Sequence, residues 1–312
     1  MRRMSFSMTE PQFRDGSKDV TRRLGWKFLK PGDRIMGVRK CMGLAKGEKQ
    51  DETVELSVTG APGATPVQDT VRVLLGPALP GAVLPKVSPP PEDAVSFLQV
   101  NQKPDTYRAA TALSMSFNPA LHMPDEDTFM ENLTALSAQV ASVRALAPQA
   151  RIAVGPLVFD SPYPRAAPDP RHQGRFAAAW AAAALLELTG AGVPEVSLKL
   201  GPAAQPVLAA FAQQTGSALL QTRRFGTSPL PVRAQAVLVQ GERVLWLVNE
   251  TPDQRTVLVG GLQGMTQARL RRFIGENPPA GPVEGTAGVT HEVLRLELAP
   301  YEVCEVNLGK QP

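Results

Sequence analysis

The sequence predicts an α/β protein in which a parallel sheet with helical crossovers is followed by an antiparallel β-sandwich. Between residues 95 and 230, short apolar runs alternate with segments of helical length, as in βαβ units. After residue 231 the pattern becomes all-β. The first 50 residues hold 13 Lys and Arg against 5 Asp and Glu, whereas the rest holds 20 against 24. This charge asymmetry predicts a small basic module with partners of its own.

The segment between the basic module and the α/β part predicts a linker. Eight prolines in 44 residues argue against a compact domain there, and two short strands are predicted within it, at Thr53–Val58 and Thr70–Leu75. A further strand is predicted at Ile35–Cys41. The predicted segments are residues 1–50 (basic fragment), 51–94 (proline-rich linker), 95–230 (partial α/β barrel) and 231–312 (β-sandwich).

The α/β part contains one strongly periodic helix, predicted over Asp125–Ala147. Its apolar residues recur at helical spacing, acidic residues lie at its start, and Pro148 ends it. The alanine-rich segment Gln173–Gly190 is apolar on most sides, so we expect this helix to lie between two layers. The other predicted elements are strands at Val95–Val100, Ala112–Phe117, Arg151–Phe159, Glu195–Leu200 and Ser217–Gln221, and a helix at Pro206–Thr215.

In the C-terminal part, Gln240-Gly241-Glu242 separates two apolar strands and predicts a hairpin. Leu294, Leu296 and Leu298 alternate with polar or charged neighbours, as in a half-buried antiparallel sheet. The predicted strands are Ala234–Val239, Arg243–Asn249, Thr256–Val259, Ala268–Phe273, Glu292–Leu298 and Glu302–Leu308.

Composition restricts the class of protein. Cys41 and Cys304 lie in different modules, which predicts a reducing compartment without a disulfide framework. The longest apolar run, residues 176–186, is too short to cross a bilayer, and the charged N-terminus is not followed by a secretory apolar segment. We therefore expect a soluble cytoplasmic protein without a membrane partner.

No cofactor or metal is predicted. His122, His172 and His291 are scattered along the chain and no C-x-x-C motif is present, so the usual spacing of metal ligands is missing.

The basic module contains Gly16, Lys18, Thr21 and Arg23, which satisfy the pattern G-x-K-x-x-T-x-R. With this motif, residues 5–49 resemble an N-terminal fragment of a phage-type ASCH domain, a small barrel related to PUA RNA-binding domains. The resemblance implies weak RNA or nucleotide binding through residues 14–40. It also implies an amidohydrolase site in which lysine and threonine act with a downstream glutamate, but residues 56–91 contain no glutamate. The alternative is a solvated basic face on a fragment.

Three stretches of the larger module carry a second resemblance: Ser116–His122, Asp169–Trp180 and Leu298–Val303. With them, residues 95–309 resemble the C-terminal part of D-apionate lactonase-like proteins, relatives of glycoside hydrolases with a TIM barrel and an attached β-sandwich. The resemblance implies a partial (β/α) barrel and a small sugar or sugar-acid ligand. A complete barrel takes about 250 residues, so the barrel is expected to be incomplete unless self-association or another chain completes it.

Four side chains at predicted strand ends are candidates for the chemistry of such a hydrolase. Asn118 and Arg165 are predicted to bind substrate, and His122 and Asp160 are predicted to act as bases. These candidates have structural alternatives, because Asn118-Pro119 and Asp160-Ser161-Pro162 are also turn sequences, and the alternative for His122 is to cap the helix that follows. Lys199 and Leu200 lie where the relatives tend to carry an acidic residue.

The predicted function is that of a carbohydrate-acting hydrolase, either a sugar lactonase or a glycosidase, in an incomplete or impaired form. One alternative is an RNA-associated protein that uses the basic module. The other is a recombined reading frame without selected function, which the abrupt change near Gln50 suggests.

Overall fold

The computed structural model describes residues 70–121, 125–160, 168–226, 231–273 and 281–310, and the backbone of three strands before residue 60. The chain divides into two compact units, Met1–Val67 and Gln68–Pro312. The first unit contains three strands, β1 (Arg2–Ser5), β2 (Arg34–Val38) and β3 (Glu52–Ser57), among the residues that the structure describes. Strand β2 is parallel to β1 and antiparallel to β3. Strands β2 and β3 overlap two predicted strands. The ASCH-like motif residues Gly16, Lys18, Thr21 and Arg23 lie outside the described residues.

The second unit contains the predicted parallel sheet. Five strands pair in the order β5-β9-β8-β7-β6, and every pairing between neighbours is parallel. The apolar side chains of the central strands alternate, so that Leu113, Met115 and Val154 belong to the core. The strands are β5 (Lys86–Val87), β6 (Val95–Ser96), β7 (Ala112–Phe117), β8 (Arg151–Leu157) and β9 (Glu195–Leu198).

The helices between these strands differ from prediction in two places. The strand predicted at Val95–Val100 ends at Ser96, because Ser96 and Gln99 form a capping box that starts a helix. The helix predicted at Asp125–Ala147 is two helices that meet at Leu133. The helices are α1 (Phe97–Gln102), α2 (Pro104–Tyr107), α3 (Glu126–Asn132), α4 (Thr134–Leu146), α5 (Arg175–Gly190) and α6 (Gln205–Gln213).

The alanine-rich helix α5 lies between two sheets, as predicted. It contacts β9 of the parallel sheet on one side and strands of the C-terminal sheet on the other. Its small side chains allow this close approach, and Trp180 adds a large buried surface. One apolar core therefore joins the parallel sheet, the helices and the outer face of the C-terminal sheet, where Trp246 and Phe273 lie.

The C-terminal strands close into a nine-stranded barrel, whereas we predicted a sandwich. Strand β4 (Thr70–Val83) closes it by pairing in antiparallel with β10 and in parallel with β13. The other strands are β10 (Ala218–Phe225), β11 (Val232–Val239), β12 (Glu242–Asn249), β13 (Arg255–Gly260), β14 (Gln267–Phe273), β15 (Val283–Thr290), β16 (Val293–Leu298) and β17 (Val303–Lys310).

Two of these strands were predicted as strands, but one is longer than predicted and the other belongs to a different sheet. The segment predicted as a short strand at Thr70–Leu75 is part of the 14-residue strand β4, whose Val71 and Val73 fill the barrel interior. The strand predicted in the α/β part at Ser217–Gln221 belongs to β10 and the barrel. The register of β4 and β10 shifts between Ala218 and Leu220, so the proline-containing end of β4 is accommodated as an irregularity.

The predicted hairpin is confirmed. Val239 pairs with Glu242, and the two residues between them, Gln240 and Gly241, have φ angles of 50° and 84°. Such angles are those of a two-residue hairpin turn with left-handed backbone. Within the part of the chain that the structure describes, none of the helices has the length and apolarity needed to cross a bilayer.

Candidate functional site

A pocket of about 430 Å³ opens at the carboxyl edge of the parallel sheet. In parallel sheets with helical crossovers, ligands bind at this edge, because the loops that follow the strands lie there. Asp160 follows β8 and Lys199 follows β9 directly. The residues that line the pocket are Asp160, Pro168, Asp169, Pro170, His172, Gln173, Lys199, Leu200 and Gly201.

An aspartate–histidine pair lies in this pocket. Nε2 of His172 lies 2.8 Å from Oδ1 of Asp160, and the side chains are 10% and 42% exposed, respectively. The same Oδ1 accepts a hydrogen bond from the backbone N–H of Asp169 at 3.2 Å. The other ring nitrogen of His172, Nδ1, accepts a hydrogen bond from the backbone N–H of Gly201 at 3.1 Å. The imidazole therefore connects the ends of two neighbouring strands.

Local packing holds the His172 ring. His172 lies in a short 3-10 turn, Pro170–Gln173, that begins after Asp169. The ring of Phe159 stacks on the imidazole at 4.3 Å between centroids. A Cβ atom on Gly201 would lie 2.5 Å from Cβ of His172, so a larger residue at position 201 would displace the histidine.

Arg171 and Asp169 form a second polar contact at the start of the same 3-10 turn. Nε and Nη2 of Arg171 donate to both carboxylate oxygens of Asp169, at 2.8 and 2.5 Å. The guanidinium also lies 4.2 Å from the centre of the Phe129 ring. Burial acts to raise the pKa of Asp169, but hydrogen bonds from Arg171 outweigh it and hold the pKa below its usual 3.8. At pH 7 Asp169 is therefore ionised, and both of its carboxylate oxygens accept hydrogen bonds from Arg171.

We expect Asp169→Asn to lower the free energy of unfolding at pH 7 by about 2 kcal/mol, because it weakens charged hydrogen bonds and leaves Arg171 without its carboxylate. The folded-state pKa is below the unfolded value, so this contribution is complete above pH 3.8 and is lost as the pH falls through the folded pKa. Urea unfolding of both proteins at several pH values would measure it. A stability difference that grows toward acid pH would contradict the assignment.

In the structure, the side chain of Asn118 links two backbone segments. Its Nδ2 donates to the backbone carbonyl of Asp160 at 2.9 Å, and its Oδ1 accepts from the N–H of Ala120 at 2.8 Å. The amide thus links the segments after β7 and β8, and it is not among the residues that line the pocket. Substrate binding by Asn118 stays a prediction.

Lys199 brings a positive charge to the pocket. Its side chain is exposed, and its ammonium has no ion-pair partner among the residues that the structure describes. An ammonium in the same pocket as Asp160 is a suitable group to bind a carboxylate or to stabilise the negative oxygen that develops on a carbonyl.

The two remaining candidates from the sequence, His122 and Arg165, lie outside the described residues, so their roles stay predictions. Conversely, sequence reasoning did not select His172, which lies 12 residues after Asp160. The available signal was Asp169-Pro170-Arg171-His172, a capped turn next to a predicted strand end. Among the residues that the structure describes, no group of His, Cys, Asp and Glu could hold a metal ion.

The comparisons with known proteins concern this same part of the chain. Residues 94–218 match the family model described as D-apionate lactonase, TIM barrel domain. The GH51 arabinofuranosidase from Xanthomonas axonopodis pv. citri is similar in structure, with 14% identity and a TM-score of 0.54 over 71% of this chain and 57% of that chain. An α-L-arabinofuranosidase from Thermotoga maritima gives 14% identity and a TM-score of 0.50, over 72% and 57%. No curated protein matches the chain in sequence.

These findings concern the fold. The fold is similar to that of these two glycoside hydrolases, and the family-model match adds a lactonase TIM barrel domain for residues 94–218. The predicted resemblance to D-apionate lactonase is confirmed for residues 94–218. The chain spans less than two thirds of the length of the solved structures it matches. The comparisons do not support the resemblance of residues 5–49 to an ASCH domain, so RNA binding stays a prediction.

Proposed function

We propose that this chain is a carbohydrate-acting hydrolase of the sugar-lactonase type that binds a sugar lactone or sugar acid at the carboxyl edge of its parallel sheet. The observation that carries the proposal is the pair of Asp160 and His172 in the pocket, with Lys199 on the same lining. A general base and a cation that line one pocket can together support lactone hydrolysis.

The carboxylates of this pocket favour a lactone over a glycoside as the substrate. Most glycosidases need two carboxyl groups that flank the scissile bond, one as acid and one as base or nucleophile. Asp160 and Asp169 are the carboxylates of the described lining, but Arg171 occupies both oxygens of Asp169. Asp160 thus remains as the group for proton transfer, which is enough for attack of water on an ester carbonyl.

The proposed chemistry uses two side chains. The Asp160 carboxylate accepts a proton from water as the water oxygen forms a bond to the lactone carbonyl carbon. The carbonyl oxygen becomes negative, and the ammonium of Lys199 stabilises it. When the tetrahedral intermediate collapses, the bond to the ring oxygen breaks and that oxygen takes the proton, which gives the open-chain sugar acid.

We expect lactone hydrolysis by this chain to be slower than hydrolysis by an enzyme with a complete barrel. A complete (β/α) barrel has eight parallel strands that surround the site, whereas the described residues form a parallel sheet of five. Fewer loops then contact the substrate, so less of it is positioned and shielded from water. Self-association that completes the sheet would raise the rate with protein concentration.

The proposal is tested by measuring acid release from a panel of aldonolactones, with aryl glycosides as the comparison substrates. We expect lactone turnover, and we expect Asp160→Asn to lower kcat/KM by about 100-fold, the lower range for loss of a general base. The matched control is Asp105→Asn, since Asp105 is an exposed aspartate whose ion pair with Arg108 lies outside the pocket.

Two results would contradict the proposal. The first is equal turnover by the wild-type protein and the Asp160→Asn variant. The second is the absence of both turnover and a lactone-dependent shift in Tm in the wild-type protein. Turnover of aryl glycosides alone would favour a glycosidase.

A further inference from the structure

We propose that His172 is a positioning residue that acts through Asp160, with its imidazole fixed as the tautomer that carries its proton on Nε2. This inference rests on the proposed function, since it assigns the order of roles within the same pair. The alternative assignment, in which His172 itself accepts the proton from water, is the one that its residue type first suggests.

The hydrogen bond from Gly201 decides the tautomer. A backbone N–H can only donate, so Nδ1 of His172 must be the acceptor in this 3.1 Å contact. The single proton of the neutral ring is then on Nε2, which donates it to Oδ1 of Asp160 at 2.8 Å. With both nitrogens engaged in this way, the ring has no lone pair left for a proton from water.

The residues around the His172 ring hold it in this orientation. Phe159 stacks almost parallel to the imidazole, with 16° between the planes. Phe159 in turn packs edge-on against Trp180, at 5.3 Å between centroids, in the middle of helix α5. A flip of the ring would also place a carbon atom where Nδ1 now lies, so the hydrogen bond from the N–H of Gly201 would be lost.

The result is a carboxylate held by two donors from one segment. Nε2–H of His172 and the backbone N–H of Asp169 both bind Oδ1 of Asp160. Two donors at one oxygen fix the rotation of the carboxyl group, and a base held in a fixed direction is more effective than one that must be ordered during the reaction.

Two substitutions separate the two hydrogen bonds of the ring. In His172→Asn, the amide oxygen can take the place of Nδ1 and accept from Gly201, but the donor to Asp160 is lost. In His172→Gln, the amide nitrogen can reach the position of Nε2 and donate to Asp160. We expect kcat for lactone hydrolysis to fall by about 100-fold in the first variant and by about 10-fold or less in the second.

The pH profile provides the readout that a merely structural role would not change. If His172 only holds Asp160, the acidic limb of kcat/KM belongs to the carboxylate, and it stays in both variants at lower amplitude. If His172 is the base, both variants lose that limb and lose activity equally. That second outcome would overturn the inference.

NMR of the wild-type protein can identify the tautomer of His172 without a measurement of lactone turnover. In a long-range ¹H–¹⁵N spectrum of the protein with ¹⁵N-labelled histidine, assigned by comparison with His172→Gln, we expect a protonated Nε2 and an unprotonated Nδ1 at pH 7. A proton on Nδ1 at that pH would overturn the inference. Absence of lactone turnover together with the expected spectrum would instead contradict the proposed function and leave the arrangement of the pair intact.

Discussion

Replacing Trp246 by alanine is expected to lower the free energy of unfolding by about 3–5 kcal/mol, the usual range for a large aromatic residue removed from a core. Trp246 is fully buried on the outer face of the barrel, where it stacks on Phe211 of helix α6 at 4.1 Å and on Phe273 at 5.7 Å. Its indole N–H donates to the side chain of Gln214 at 2.9 Å. The substitution removes the contact that joins the barrel to the helices and leaves the Gln214 oxygen without this donor.

Urea unfolding monitored by circular dichroism would measure the change. Trp246→Phe keeps an aromatic ring in the stack and loses the hydrogen bond, so we expect a smaller cost of about 1–2 kcal/mol. Leu98→Ala is the control, because Leu98 is 61% exposed and its truncation should change stability by about 0.5 kcal/mol or less. Equal effects of Trp246→Ala and Leu98→Ala would mean that the barrel and the helices do not share this core.

The α/β part was predictable from the sequence because its signals are local. The strands Ala112–Phe117 and Arg151–Leu157 are apolar runs of strand length, and the alanine-rich helix was expected between two layers. The errors were local as well. Ser96 and Gln99 form a capping box that starts a helix inside an apolar run, and apolar content alone does not distinguish a strand from a helix at that length.

Closure of the barrel was not predictable in the same way. Strand β4 pairs with β10 and β13, which follow it by more than 100 residues, and no local pattern records that pairing. The prolines at 77 and 80 also argued for a linker, yet they lie in the part of β4 where burial is low and the register with β10 shifts. Six alternating strands are equally compatible with a sandwich and with part of a barrel.

Half of the candidate pair was found from the sequence. Asp160 follows a buried strand, and the rule that sites form at carboxyl strand ends selected it. His172 was missed because its approach to Asp160 depends on the course of the chain between residues 160 and 172 and on the close packing of Gly201. Neither hydrophobic periodicity nor residue spacing describes such a turn.

A buried arginine connects the helices to the barrel. Arg233 of β11 is 7% exposed and donates to Glu187 of helix α5 and, at 2.5 Å, to Glu250 after strand β12. Burial acts to lower the pKa of Arg233, but the two carboxylates outweigh it and raise the pKa above its usual value. Ser137 of helix α4 also donates to Glu187, so the arginine is the centre of a network that spans both layers.

We therefore expect Arg233→Ala to lower the free energy of unfolding by about 3–5 kcal/mol, because it leaves two carboxylates together in a buried site without the cation that hydrogen-bonds to both. The matched control is Arg269→Ala. Arg269 is 66% exposed and pairs with Glu242 on the surface at 3.1 Å, so its removal should cost about 1 kcal/mol or less. In the double variant Arg233→Met with Glu250→Gln, we expect a higher free energy of unfolding than in Arg233→Ala, because one unpaired buried charge is removed.

The pH dependence of Arg233→Ala distinguishes lost charge pairing from lost packing. Burial raises the pKa of Glu250 above its usual 4.5 even with Arg233 beside it, and removal of the arginine raises it further. The folded variant then binds more protons than the unfolded chain between pH 4.5 and the raised folded pKa, so its stability should increase as the pH falls through that window. Urea unfolding of the variant and the wild-type protein at several pH values would measure the difference, which should narrow toward pH 4.5. A constant difference would assign the loss to packing of the Arg233 side chain and not to its charge.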